Sequence, residues 1–138
     1  MPKVKAAIFC DEVRMEANGK LFLIGTYSGK MIVPRFPAKD QLQCIILLDN
    51  LVQSKLELVA RVTGHAGAEF GELELEIDIG AGMLDDLPTW IPLPPFDFSL
   101  SEPDTIEVSV ALNGQELEVV GRLPVVLAEE PAETTATT

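Results

Sequence analysis

The sequence is short of the residues that most chemistry needs. It holds one histidine, two cysteines, one tryptophan and one tyrosine among 138 residues. A single histidine, His65, cannot build a multi-histidine metal site. No activated serine or cysteine motif accompanies it, so a hydrolase triad is not expected. His65 lies in the run Gly64-His65-Ala66-Gly67 and reads as an ordinary loop residue. Cys10 and Cys44 are too few for the disulfide framework of a secreted domain. Both stand at strand positions among apolar neighbours and read as reduced core residues.

Positive charge is scarce as well. Ten Lys and Arg face 22 Asp and Glu, for a net charge of −12. Such a surface repels phosphate backbones and anionic lipid heads, since binding either depends on clustered basic residues. Nucleic acid and membrane are therefore not expected partners; a cation or a basic partner fits the charge better. No apolar run approaches the roughly 20 residues a membrane helix needs. The run Ala6 to Cys10 is too short for a signal-peptide core. A cytoplasmic protein without a cofactor is the expectation, and no catalytic residue is proposed.

Helical periodicity is absent too. Apolar residues instead recur with period two, the mark of half-buried strands. Val4, Ala6, Ile8 and Cys10 alternate with Lys5, Ala7, Phe9 and Asp11. Asn18-Gly19 is a turn signal, and Leu21 to Tyr27 reads as the strand after it. Ser28-Gly29 turns into Met31-Ile32-Val33, and Pro34 and Pro37 interrupt the pattern. Gln41 to Leu48 is apolar on both faces at its centre, which predicts a central strand.

Lys55 to Thr63 presents Leu56, Leu58, Ala60 and Val62 on one face. Phe70 to Ile79 presents Leu73, Leu75, Ile77 and Ile79 inward and Glu72, Glu74, Glu76 and Asp78 outward. Matching the two core faces fixes a register, because a slip of one residue would turn a strand inside out. Ala60 then faces Leu73, Leu58 faces Leu75, Arg61 faces Glu72 and Lys55 faces Asp78, while Glu57 faces Glu76. Residues 80–88 read as a loop. Trp90 to Leu100 carries Pro92, Pro94 and Pro95, which suits an edge strand or an irregular extended segment. Thr105 to Leu112 points Ile106, Val108, Val110 and Leu112 inward, and Asn113-Gly114 is a second turn signal. Gln115 to Val120 returns, Gly121 marks a bulge, and Leu123 to Leu127 is a last short strand. From Ala128 to Thr138 the chain is polar, acidic and Thr-rich, so a disordered tail is expected.

About eight short strands without a helix predict an all-β domain over residues 1–127. Its form is a two-layer antiparallel β-sandwich, with a partly closed β-barrel as the alternative. Three surfaces stand out as sites. The row Glu72, Glu74, Glu76 and Asp78 is either a solvated outer face or a dock for a basic partner. Asp85, Asp86, Asp97 and Asp104 could gather at one end as calcium ligands, although their spacing matches no defined calcium loop. Met83, Leu84, Trp90, Ile91 and Phe96 are the most apolar residues outside the regular strands. They either cap the core or form an interface.

The N-terminal third carries the most specific run: Ala7-Ile8-Phe9-Cys10-Asp11-Glu12-Val13-Arg14, then Gly19-Lys20-Leu21, Leu23-Ile24-Gly25-Thr26-Tyr27, Ile32-Val33-Pro34 and Phe36-Pro37. It resembles a family of small bacterial proteins, some of them prophage-associated, known as a domain of unknown function. The resemblance covers roughly the first 37 residues and implies a β-sandwich with no established activity. In the same run, Gly19 and Gly25 are expected to serve backbone geometry or close approach, and Asp11 and Arg14 to form a local ion pair. The resulting expectation is a non-catalytic interaction or structural module of bacterial or phage origin, virion-associated in the latter case. It would work through a protein partner or self-association. The alternative is a β-sandwich that binds calcium or a small ligand with its acidic loops.

Overall fold

A computed structural model describes residues 2–49, 55–78 and 89–129. The described residues form eleven strands and no helix: β1 (Lys3–Cys10), β2 (Glu12–Met15), β3 (Leu21–Ile24), β4 (Met31–Val33), β5 (Ala38–Asp49), β6 (Lys55–Gly64), β7 (Glu69–Asp78), β8 (Thr89–Pro92), β9 (Phe96–Leu100), β10 (Asp104–Leu112) and β11 (Glu118–Leu127). The all-β reading holds, with more strands than the eight expected. Ile79 and the 80–88 loop lie outside the described residues, as does the expected tail beyond Glu129. Ala128 N–H donates to the Val33 carbonyl at 2.8 Å.

Two sheets enclose the core. In the first, β5 pairs with β1 on one side and with β8 and β9 on the other. The second has the order β4-β11-β10-β6-β7, and the sheets include one that curls as a half-barrel. The pairing is antiparallel except between β4 and β11, which run parallel. Leu42, Cys44, Ile46 and Leu48 from the first sheet meet Leu56, Leu58, Ile106, Val108, Leu123 and Val125 from the second. No polar side chain is buried among the described residues. That burial is the driving term for a fold of this kind.

The two halves differ in how faithfully alternation predicted them. The β6–β7 register is the expected one: Ala60 faces Leu73, Leu58 faces Leu75, Arg61 faces Glu72 and Lys55 faces Asp78. β5 is central as expected, but it runs longer, from Ala38 to Asp49. β1 departs from simple alternation. Lys5 is an extra residue between Val4↔Leu48 and Ala6↔Leu47. A bulge of one residue inverts the alternation beyond it, so Ala7 and Phe9 join Val4 on the core side. The extra residue at Val120, before Gly121↔Val108, does the same in β11 and merges two expected strands into one. Gly121 is also where β1 packs closely on β11: a Cβ there would meet Ala7 Cβ at 3.1 Å.

The segment Trp90 to Leu100 is not a single edge strand. Leu93-Pro94-Pro95 divides it into β8 and β9, both of which pair with β5. The two Asn-Gly pairs also differ. Asn113 (φ 49) and Gly114 (φ 76) are both left-handed, and Gln115 N–H closes the turn on the Leu112 carbonyl at 3.0 Å. At Asn18-Gly19 only Gly19 has positive φ. The expected strand Leu21 to Tyr27 ends at Ile24.

Candidate interaction surface

The acidic row lies where alternation puts it. Glu72, Glu74, Glu76 and Asp78 are all exposed on β7, while Leu73, Leu75 and Ile77 turn toward the core. Arg61 reaches Glu72 at 3.4 Å. Lys55 faces Asp78 in the backbone register, but its ammonium lies 3.6 Å from Glu76 on the diagonal. These exposed pairs are each worth at most about 1 kcal/mol.

Of the calcium candidates, Asp85 and Asp86 lie outside the described residues. Asp97 stands on β9 opposite Gln41. Asp104 is engaged in a turn: its carboxylate accepts from Thr105 N–H at 2.7 Å and from Ala66 N–H at 3.2 Å. Among the described residues no group of three or more His, Cys, Asp or Glu side chains is placed to hold a metal ion. His65 has a neighbour the sequence did not suggest. Its Nδ1 lies 3.4 Å from Glu107 Oε2, which Arg122 Nε also reaches at 3.1 Å. Glu107 and Arg122 are cross-strand partners on β10 and β11, so this network staples the outer face of the second sheet. Cys10 and Cys44 are buried free thiols. Burial, and secondarily the Asp11 charge, raises the Cys10 pKa. Burial pushes Cys44 up to about 12, which removes its thiolate at neutral pH.

The apolar interface candidates separate. Met83 and Leu84 lie outside the described residues. Ile91 and Phe96 pack against the core. Trp90 points the other way and remains 38% exposed. It belongs to a second apolar face on the outside of the first sheet. One cross-strand row runs Ala6–Leu47–Trp90 and the next Ile8–Ile45–Pro92. Neither row contains a charge. Over these two rows the outer face of the first sheet is uncharged, although Ile45 within it is buried; farther along β5 the same face turns polar, with Gln41 opposite Asp97 and Lys39 opposite Ser99.

Beside it stands the β2–β3 ribbon, which composition alone did not mark as a surface. It pairs Glu12↔Ile24, Val13↔Leu23, Arg14↔Phe22 and Met15↔Leu21. Met15, Phe22 and Ile24 are 66%, 51% and 42% exposed. A side-chain clasp fixes the ribbon to the body. Gln43 Oε1 accepts from Val13 N–H at 2.9 Å, and its amide donates to the Leu93 carbonyl at 2.8 Å. At the ribbon's base Asp11 accepts from the Tyr27 hydroxyl at 2.7 Å, and burial together with that hydrogen bond raises the tyrosine pKa. Gly25 (φ 68) lies so close that a Cβ would meet Asp11 Cγ at 2.9 Å. The expected Asp11–Arg14 pair does not form. Residues three apart on a strand point to opposite faces, and Arg14 pairs instead with Glu12, two residues away, at 2.7 Å.

The residues of this base are the ones that gave the sequence its most specific run. The model of one family, DUF6941, matches residues 5–125, well beyond that run. The chain belongs to DUF6941, a family of unknown function. No curated protein matches it. In this DUF6941 member the matched span runs from β1 into β11, so it covers both sheets and the ribbon.

A small cleft lies between the two sheets. It measures about 200 Å³ and opens where β7 and the β8–β9 turn part, with Cys44, Phe70, Leu73, Pro94 and Phe96 in its wall. Among the described residues, Glu72 is the one charged residue that lines it.

Proposed function

We propose that the protein is a non-catalytic interaction or structural module, of bacterial or phage origin, that engages a protein partner through the outer face of its first sheet. The observation that carries this reading is the pair of uncharged rows, Ala6–Leu47–Trp90 and Ile8–Ile45–Pro92. The chain carries a net charge of −12, yet these two rows are uncharged; Ile45 is buried, Ala6, Ile8, Leu47 and Pro92 are half-buried, and Trp90 is the member exposed to a partner. Tryptophan is the residue type most enriched at the energetic centre of interfaces.

The test is site-specific photo-crosslinking in cells that make the full chain. A benzophenone side chain at position 90 should trap one dominant protein adduct that the same group at Glu102 does not. Identical adducts at both positions would overturn the reading. A second reading, binding of a small apolar ligand, draws on the cleft around Phe70 and Phe96. Native-state binding raises a melting midpoint, so short aliphatic alcohols should raise it if the cleft is a site. The calcium version, through the acidic loops, predicts a rise at millimolar calcium.

A further inference from the structure

Among the described residues, every strand edge but one carries a device that resists pairing with another chain. The β7 edge strand alternates Glu72, Glu74, Glu76 and Asp78 along its length. β8 ends in Pro92. β9 faces β7, with Phe98 and Phe70 edge to face at 6.4 Å. β1 is approached by β11 at Gly121. β4 has only three residues. The free side of β2 is capped where Gln43 takes the Val13 N–H. Charge, proline, shortness and cover are the ordinary protections of an edge. β3, Leu21-Phe22-Leu23-Ile24, is also short, but among the described residues it has no charge, no proline, no bulge and no strand beyond it.

The polarity of that edge is fixed by two hydrogen bonds. Glu16 N–H donates to the Lys20 carbonyl at 2.8 Å, so 16 and 20 form a hydrogen-bonded pair, and by alternation 14 and 22 do as well. Val13 N–H points away from β3, to Gln43. Leu21 and Leu23 must therefore direct their own N–H and C=O groups outward, away from β2.

We propose that a second copy of this chain adds to the free edge of β3, so that two ribbons form one four-stranded antiparallel sheet about a two-fold axis at Phe22. Leu21 of each copy exchanges both backbone hydrogen bonds with Leu23 of the other, and Phe22 faces Phe22 at the axis. On one side of the sheet a stripe of Met15, Leu21, Leu23 and Val13 then runs across all four strands. On the other side Lys20 of each copy comes beside Ile24 of the second copy, next to its Glu12. Charge favours a second copy at this place. The chain carries a net charge of −12, yet Glu12, Arg14, Glu16 and Lys20 cancel within the ribbon. The ribbon is thus a region where two such chains meet without like-charge repulsion, and where the acid and base of one copy complement those of the other. An isologous contact of this kind is the commonest route to a homodimer, and a lone two-stranded ribbon gains stability when it becomes part of a wider sheet.

Sedimentation of the full chain over a range of concentrations tests this. The mass should rise from the 15.0 kDa monomer to twice that value. Phe22→Glu, at a position already half exposed, should weaken the dimer by about tenfold or more, while Ile32→Glu on β4 leaves it unchanged. Phe22→Cys should form an intermolecular disulfide under mild oxidation faster than Ile24→Cys, since only position 22 faces its own copy. A chain that stays at monomer mass overturns the proposal. So does a dimer that Ile32→Glu breaks and Phe22→Glu does not, or one in which Ile24→Cys links faster. None of these readouts depends on Trp90, so the dimer and the Trp90 interface fail independently.

Discussion

The β6–β7 hairpin and the β2–β3 ribbon are both antiparallel pairs that end at a sheet edge, and they handle that edge in opposite ways. In β6–β7 every second residue is apolar and turned inward, and the intervening positions of β7 are acidic. The hairpin is anchored by the core, and its charges keep other strands away. The ribbon has apolar side chains on both of its faces and balanced charge. It is held to the body by a few polar contacts, through Gln43, Asp11 and Tyr27. The stable half of the molecule is built by burial, and the half that offers a surface is built by hydrogen bonds. Small polar clasps suffice for the ribbon because its exposed side chains have nothing among the described residues to bury against.

That contrast predicts a graded set of effects. The largest belongs to the hairpin's core face. Leu58→Ala should cost about 2–5 kcal/mol in urea unfolding, because a fully buried side chain leaves a cavity. Phe22→Ala on the ribbon should cost under about 0.5 kcal/mol, as surface changes usually do. Equal costs would erase the distinction. Next comes the ribbon's base. Gly25→Ala forces a non-glycine residue into positive φ and against Asp11, for on the order of 1–3 kcal/mol. Gly19→Ala has the same φ problem but open space, so it should cost less. A reversed ranking would sink the account of Gly25.

Alkaline pH probes the core. Burial holds the Cys44 pKa at about 12, against 9.0 for an ordinary thiol. The unfolded chain releases this proton first, so the contribution to stability is complete below 9.0 and lost as pH rises toward 12. Denaturation midpoints should fall across that window, and Cys44→Ala should flatten the fall. A smaller effect follows from cutting the clasp. Gln43→Ala should speed amide exchange at Val13 and along the ribbon, by an amount equivalent to about 1 kcal/mol, with β6–β7 exchange unchanged. Smallest is a gain. Glu57 faces Glu76, so Glu57→Lys should stabilise the hairpin by a few tenths of a kcal/mol, read as a rise in Tm at low salt. No rise, or a fall, would mean that Lys55 already neutralises Glu76.

How legible each region was follows from the same contrast. The hairpin register could be read because its two faces carry different codes, apolar and charged, and only one alignment satisfies both. The ribbon was hidden because apolar residues on both faces look the same in sequence whether a strand is doubly buried or doubly exposed. Trp90, Ile91 and Phe96 read as one apolar cluster, yet alternation along β8 and the break at Pro94-Pro95 send Trp90 outward and the other two into the core. The bulge at Lys5 left no mark in β1, where alanine and isoleucine suit either face.

The sequence by itself determined the strand character, the turn at Asn113-Gly114, the inward faces of β6, β7 and β10, and the acidic outer row. Each of these is a local or pairwise property, set by side-chain period and backbone preference. Only the tertiary structure decided that β1, β5 and β8 are neighbours, that their outer rows join into an uncharged face, and that β3 is left as an unprotected edge. Those depend on which strands lie next to which, and alternation along a chain carries no information about its neighbours in space.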